Sequence, residues 1–296
     1  MGSFSLTSNT TGISNVAIGK FAMAFNNASE NTAIGAYALK ANVGGTGLTA
    51  VGFESLYSNN NGNYNTAIGI QTLKNNSNGI YNTAVGYKSL TSSISGNANT
   101  SIGTLSSFNS NGADNNVSIG TNSLFSNVTG DANVAVGYNA LLSNTVDGNI
   151  GIGYDALHFN TTGLNNTAVG YQALYLNNPT LPSQSNDNTA VGNVSLYNNI
   201  LGEKNTAVGS KSLTNANSSA NTAIGYVAGL NVTTQGGNTC IGYLSGPNVT
   251  GLLNTTCLGA NSQATSNHNI RITTGQGNTA PVGSTCNIDA LTLFVN

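Results

Sequence analysis

The chain has 296 residues, 5% of them charged, and its formal net charge is −2 at neutral pH. Typical soluble proteins carry about 25% charged residues, so no overall field attracts nucleic acid or steers an anionic membrane surface toward this chain. Intrinsic disorder is excluded as well, because the apolar residues recur at a fixed period.

A nine-residue phrase, Asn-Thr-Ala-(Ile/Val)-Gly-x-x-small-Leu, recurs along the chain. Ten of the 14 intervals between its closing glycines are 17 residues long, three are 16 and one is 22. A short fixed period is typical of a solenoid, in which each unit stacks on its neighbours. The closing glycines, called the anchors below, are Gly19, Gly35, Gly52, Gly69, Gly86, Gly103, Gly120, Gly137, Gly153, Gly170, Gly192, Gly209, Gly225, Gly242 and Gly259.

The three residues before each anchor predict a short β-strand, because Thr, Val and Ile dominate them. Thr occupies position −3 in 11 of the 15 units, and Ile or Val occupies position −1 in 14. Side chains alternate along a strand, so these two positions share a face, which we interpret as inward. Leu or Met at position +4, in 11 units, is predicted to complete the core after a glycine corner.

Position −2 then points outward, and it never carries a side chain larger than Cys. A strand face open to water would tolerate long polar residues, so a face kept small predicts a close subunit contact. The alanines expected in that interface are Ala33, Ala50, Ala67, Ala84, Ala135, Ala168, Ala190, Ala207 and Ala223.

The repeat therefore predicts an all-β fold, a parallel β-solenoid of about 15 coils with a 17-residue period. Residues 1–14 are interpreted as a lead-in, 15–264 as the solenoid array, and 265–296 as a C-terminal cap or docking segment. The one long interval holds a loop with Pro179 and Pro182, which is either a tolerated insertion or a contact loop for a partner.

The sequence offers no catalytic, metal-binding or cofactor-binding pattern, and we expect no enzyme. His158 and His268 stand apart from any zinc-like cluster. Cys240 and Cys257 occupy equivalent positions in adjacent coils, as substitutes for Ala or as a ladder disulfide. No signal peptide and no apolar run long enough for a membrane span is visible.

Tyrosines at position +1 are the one suggestive surface feature. Tyr138, Tyr154 and Tyr171 lie in consecutive units and are predicted to stack as a ladder. The ladder either supports the glycine corner or a subunit contact, or it forms an aromatic strip for a glycan or another partner.

The phrase resembles the head repeats of YadA-type trimeric autotransporter adhesins, whose unit reads Asn-Ser-Val-Ala-Ile-Gly. The segments 14–19 and 133–137 come close to it. The Asn-Thr-Ala-Val-Gly-Tyr units of this chain also look like the arrays of phage and giant-virus fibre proteins. The resemblance implies a left-handed parallel β-roll, three chains side by side, and an adhesive or fibrous role on a cell or virion surface.

Three functions follow as hypotheses. The first is a non-enzymatic structural fibre protein that associates with itself, as a trimer, end to end, or both. The second is an adhesin head that binds a host-surface glycan or receptor through the loop or the tyrosine ladder. The third is ice binding, which flat threonine columns can support, although an inward position −3 counts against it. We expect an extracellular or virion-surface location, no nucleic-acid partner and no membrane insertion.

Overall fold

The structure is a computed structural model that describes residues 2–177 and 185–273. Over these residues the chain is an all-β parallel β-solenoid without helices, as the repeat predicted. Each lap of about 17 residues contributes one three-residue strand that ends next to its anchor glycine. The strands are β1 (Val16–Ile18), β2 (Thr32–Ile34), β3 (Thr49–Val51), β4 (Thr66–Ile68), β5 (Thr83–Val85), β6 (Thr100–Ile102), β7 (Val117–Ile119), β8 (Val134–Val136), β9 (Ile150–Ile152), β10 (Thr167–Val169), β11 (Thr189–Val191), β12 (Thr206–Val208), β13 (Thr222–Ile224), β14 (Thr239–Ile241), β15 (Gly246–Pro247), β16 (Thr256–Leu258), β17 (Gln263–Ala264) and β18 (Ile270–Ile272).

Sixteen of these strands form one parallel sheet, in the order β1 to β14, then β16 and β18. Its fifteen steps of about 4.8 Å give a sheet about 72 Å long. β15 and β17 pair separately. Equivalent residues stay aligned even across the 22-residue interval, where Thr167 pairs with Thr189. The insertion therefore leaves the ladder intact; Pro179 and Pro182 lie outside the described residues.

The solenoid path extends past both ends of the predicted array. The backbone N–H of Leu6 donates to Ala22, 3.1 Å away, and the N–H of Phe21 donates to Ser3, 3.0 Å away. Residues 2–14, interpreted from the sequence as a lead-in, thus follow the second half of a coil. At the other end β18 adds a strand inside the segment predicted to be a cap. We number the coils 1 to 15 by their anchors, from Gly19 to Gly259.

The anchor glycines stack in a column, and each is required at its position. Gly170 has a φ of +136°, and a Cβ added to it would lie 2.5 Å from the carbonyl oxygen of Gly192 in the next coil. The chain then passes through two left-handed residues, Gln172 (φ 49°) and Leu174 (φ 51°). Each such residue costs about 1–2 kcal/mol, which hydrogen bonds between coils offset. The backbone N–H of Gln172 donates to the carbonyl oxygen of Tyr154 in the preceding coil, 2.9 Å away. The N–H of Leu174 donates to the carbonyl oxygen of Ser195 in the following coil, also 2.9 Å away.

The predicted leucine column at position +4 is confirmed as core, since its members are fully buried. The predicted facing of the strand is wrong. Position −2 points inward, and positions −3 and −1 point outward, because the strand burial patterns alternate in that order from β2 to β14. The alanines assigned to a subunit interface are all 0% exposed within the single chain: Ala33, Ala50, Ala67, Ala84, Ala135, Ala168, Ala190, Ala207 and Ala223.

The core is thin, and this explains why position −2 stays small. Gly151 occupies that position in coil 9, and a Cβ added there would lie 3.1 Å from the carbonyl oxygen of Ala156 and 3.1 Å from Leu141 Cγ. Both contacts belong to the opposite wall of the solenoid. A residue larger than Cys would therefore collide with that wall, so the small side chains reflect packing inside one chain.

Asparagine fills the rest of the interior in two columns. At position −4, Asn166 Oδ1 accepts the backbone N–H of Asn188 at 3.0 Å and its side-chain amide at 3.1 Å. At position +7, Asn59 Nδ2 donates to Asn42 Oδ1 at 2.8 Å and to the carbonyl of Gly62 at 2.9 Å. Buried amides cost little when hydrogen-bonded in this way. The two columns thus fasten each coil to its neighbours.

Serine interrupts the apolar core at coil 6. Ser107 replaces the leucine, and Ser101 and Ser106 occupy positions −2 and +3. Their hydroxyls join a buried network in which Ser107 Oγ lies 2.7 Å from Ser118 Oγ. The buried apolar side chains consequently form two clusters, one ending at Leu90 and the other beginning at Leu124.

Candidate interaction surface

The outward side of the 16-stranded sheet is the most distinctive surface of the molecule, and we call it the sheet face. It consists of the −3 and −1 side chains of β1 to β14 and β16, which are all Thr, Val, Ile or Leu. The −1 column carries most of its exposed apolar area, for example Ile68 at 41% and Ile224 at 42% exposure. A contiguous apolar strip of this length is unusual for a surface that faces only water.

The sheet face is most apolar at its centre. Thr holds position −3 on both sides, but Val117, Val134 and Ile150 take it in coils 7 to 9. The same coils present Ile119 and Ile152 at position −1, each 38% exposed. The middle of the strip thus lacks the hydroxyls that border it on either side.

The predicted tyrosine ladder is confirmed and lies beside the sheet face. The rings of Tyr138 and Tyr154 stack with centroids 5.2 Å apart, and those of Tyr154 and Tyr171 with centroids 5.3 Å apart. Interplanar angles of 17° and 12° mean that the rings cover one another's faces. Sugars and bases stack on ring faces, so the ladder offers them mainly edges and hydroxyls. That geometry suits packing against a flat protein neighbour better than stacking on a sugar.

Two tyrosines in this region, Tyr154 in the ladder and Tyr175 outside it, have raised pKa values. The nearby carboxylate of Asp155 raises the pKa of Tyr154 above its ordinary value, and burial raises the pKa of Tyr175. The Tyr154 hydroxyl therefore adds no charge to the edge of the sheet face at neutral pH.

His158, which the sequence places outside any zinc-like cluster, is buried in the wall of the solenoid. Its Nδ1 lies 3.1 Å from Asp155 Oδ1, and its ring packs at 5.2 Å on Tyr175. Asp155 also accepts a hydrogen bond of 3.1 Å from Asn139. The contacts of the pair are structural ones that tie neighbouring coils together.

Within residues 2–177 and 185–273, no three His, Cys, Asp or Glu side chains come together in a group that could hold a metal ion. Cys240 and Cys257 lie in register on adjacent strands, and both are buried free thiols. Of the two alternatives drawn from the sequence, they are therefore substitutes for Ala and do not form a disulfide. In the same part of the chain no helix is long or apolar enough to cross a membrane.

An open groove of about 550 Å³ runs along the opposite side of coils 3 to 7. Polar residues such as Asn75, Ser92 and Asn109 line it together with the apolar side chains of Ile94 and Val128. In coil 5, Ser93 replaces the inward asparagine of the +7 column. Asn76 Oδ1 and Ser93 Oγ are then left buried without a hydrogen-bond partner. The groove thus borders a local defect in the amide column.

No protein-family model matches the chain, and no curated protein does. The sheet face and the patches beside it therefore have to be interpreted from their own chemistry.

Proposed function

We propose that the chain is a structural rod of a cell or virion surface, and that it works by associating with further copies of itself through the sheet face. The observation that carries the proposal is the uncharged strip of outward Ile, Val and Thr side chains along the whole sheet. The proposed role is structural and non-enzymatic: the chain supplies the surface of the assembly.

A second copy of the chain fits this surface in size. The strip is about 72 Å long, and a three-residue strand makes it about 10 Å wide. About 720 Å² per chain results, close to the roughly 800 Å² that each partner buries in a standard stable interface. The apolar middle with a hydroxyl-bearing border also follows the usual order of an interface, in which the centre is driest.

Three chains around a common axis are the arrangement we favour. The face has only two columns, so each chain can offer its −3 column to one neighbour and its −1 column to the other, and the area of about 720 Å² per chain is then divided between two contacts. Thr hydroxyls at position −3 can donate across the contact, while the absence of charge on the face avoids like-charge repulsion between copies. The tyrosine ladder then lies at the border of the contact, where edges and hydroxyls are useful.

Sedimentation equilibrium tests the proposal with two matched variants. Ile152→Lys places a charge at the centre of the sheet face, and Asn60→Lys places the same charge on an exposed turn at another side of the coil. We expect wild type and Asn60→Lys to sediment as the same oligomer and Ile152→Lys as a folded monomer. A wild-type monomer at high concentration, or equal assembly of both variants, would refute the proposal.

Ice binding is a second candidate that the observed facing favours. The sequence-based argument against it rested on an inward position −3, whereas the 11 threonines there in fact point outward with strand spacing, in a run of five and a run of six on either side of coils 7 to 9. Such a rigid, regular and uncharged row could order water. A nanolitre osmometer would show thermal hysteresis if this is the function, and its absence from a sample shown to be monomeric would exclude it.

A further inference from the structure

The few charges of the chain are distributed unevenly along the rod. Four of the seven cationic side chains, Lys20, Lys40, Lys74 and Lys88, lie in coils 1 to 5, and residues 89–203 contain no Lys or Arg. That middle stretch carries five Asp residues instead. The near-zero net charge therefore hides a local positive region near the N-terminal end.

Aromatic rings hold the lysines of this region in place. Lys40 Nζ lies 5.5 Å from the ring centroid of Tyr37 and 5.2 Å from that of Tyr57, and it contacts the Tyr57 hydroxyl at 3.1 Å. Lys20 Nζ lies 5.5 Å from the ring centroid of Phe21, and Lys88 Nζ lies 5.2 Å from that of Tyr87. Cation–π contacts of this kind fix an ammonium group without neutralising it. The patch is thus both charged and ordered.

One carboxylate, that of Glu54, lies among these lysines, and it is already paired with one of them. Glu54 forms an ion pair of 2.8 Å with Lys74 and accepts a hydrogen bond of 2.8 Å from Gln71. The hydrogen bond from Lys74 lowers the pKa of Glu54, so the carboxylate stays ionised and bound to that lysine. Among the described residues, the other three lysines of the patch form no ion pair, and they remain available to an external anion.

We propose that this patch, Lys20, Lys40 and Lys88 with the rings beneath them, binds a linear acidic polysaccharide through its sulfate or carboxylate groups. The lysines lie on coils 1, 2 and 5, so they are spread over four steps, about 19 Å along the rod. They occupy positions +1, +5 and +2 of the repeat, so discrete anionic groups along an extended chain can reach them although the lysines do not form one column. The patch lies outside the sheet face, and the binding does not depend on self-association.

The ring geometry selects a polysaccharide over a single-stranded nucleic acid. Bases bind by stacking on open aromatic faces. Here Phe4 and Phe21 stack with centroids 5.0 Å apart and Phe21 and Tyr37 with centroids 5.5 Å apart, so each ring covers a face of its neighbour. Anionic sugar substituents need charge and hydrogen-bond donors but no free ring face, and that is what the patch provides.

Two double variants with equal charge change test the assignment. Lys40→Gln/Lys88→Gln removes two of the three lysines of the patch, and Lys204→Gln/Lys211→Gln removes two lysines from coil 12. Binding to immobilised heparin and to hyaluronate is measured by biolayer interferometry at about 0.15 M salt, where long-range attraction is screened. We expect the affinity of the first variant to fall about tenfold or more, because one or two charge-assisted hydrogen bonds are lost. The affinity of the second variant should change by less than about twofold.

The controls separate polysaccharide binding from other classes of ligand. Neutral dextran should not bind, and oligo(dT) and phosphatidylserine vesicles should bind at least about tenfold more weakly than heparin. If the wild-type protein binds heparin but not hyaluronate, the patch recognises sulfate groups. If it binds hyaluronate but not heparin, the patch recognises carboxylate groups. No binding to either polymer, equal losses in the two variants, or tighter binding of DNA or vesicles would overturn the inference. A wild-type monomer that still binds heparin would leave it standing even if self-association failed.

Discussion

Leu174→Ala is the sharpest test of the interior. Leu174 is fully buried, and its column continues through Leu157 and Leu196 in the coils on either side. Removing three carbons costs about 2.4 kcal/mol in lost burial, at about 0.8 kcal/mol for each. The coil spacing is fixed by backbone hydrogen bonds, including Leu174 N–H to Ser195 O at 2.9 Å, so the cavity cannot close easily. We therefore expect a total of roughly 3–4 kcal/mol, near the middle of the range for such substitutions.

The assay is urea unfolding followed by circular dichroism, with amide hydrogen exchange in β9 to β11 to detect local opening. Leu201→Ala is the matched control, because Leu201 is 42% exposed and the same truncation there should cost less than about 1 kcal/mol. Equal losses for the two variants, or protection in β10 that does not change, would refute the inward assignment of position +4.

Three further predictions follow from the interior. Ala223→Lys should unfold the chain, because position −2 has no room, whereas Ile224→Lys on the same strand should keep the fold and abolish association; circular dichroism and light scattering read the two effects. Ser93→Asn should raise stability by about 1–2 kcal/mol by giving the buried, unpartnered Asn76 Oδ1 a donor, and a lower melting temperature would contradict this. Burial raises the pKa of the Cys240 thiol to about 12, so at pH 8 it should resist maleimide until the chain is unfolded, as peptide mapping would show; rapid labelling of the folded protein would count against the buried position.

The repeat period made most of the fold predictable. Anchors spaced by 16 or 17 residues can stack only if each lap returns the chain to the same place, and Leu at position +4 marks a core. The stacking of Tyr138, Tyr154 and Tyr171 followed from their equal position in consecutive coils. The stacking of the coils and of the tyrosine rings depends only on the spacing of the repeat, which can be read directly from the sequence.

The facing of the strand could not be predicted in the same way. Alternation separates two faces but does not say which is inside, and Val or Ile normally indicates the interior. Here the core is so thin that only Ala, Ser, Gly or Cys fits at position −2, as the contacts around Gly151 show. A signal was present in the sequence, because position +3 is equally small and the two columns face each other across the core.

The buried asparagines were also missed. Asn is usually a surface residue, so its recurrence at position −4 in 13 of 15 units led to no prediction about the core. An amide column becomes stable inside only when each member hydrogen-bonds the next, as Asn188 does with Asn166. The strict recurrence of one polar residue was the signal, because a solvent-exposed turn would accept several.

A cryo-electron microscopy image of the native assembly, even at moderate resolution, tests the self-association account most directly. We expect rods bundled side by side, three to a bundle, with their long sheets turned toward a shared axis and the turns outside. Isolated single rods, or bundles whose sheets face the solvent, would contradict it.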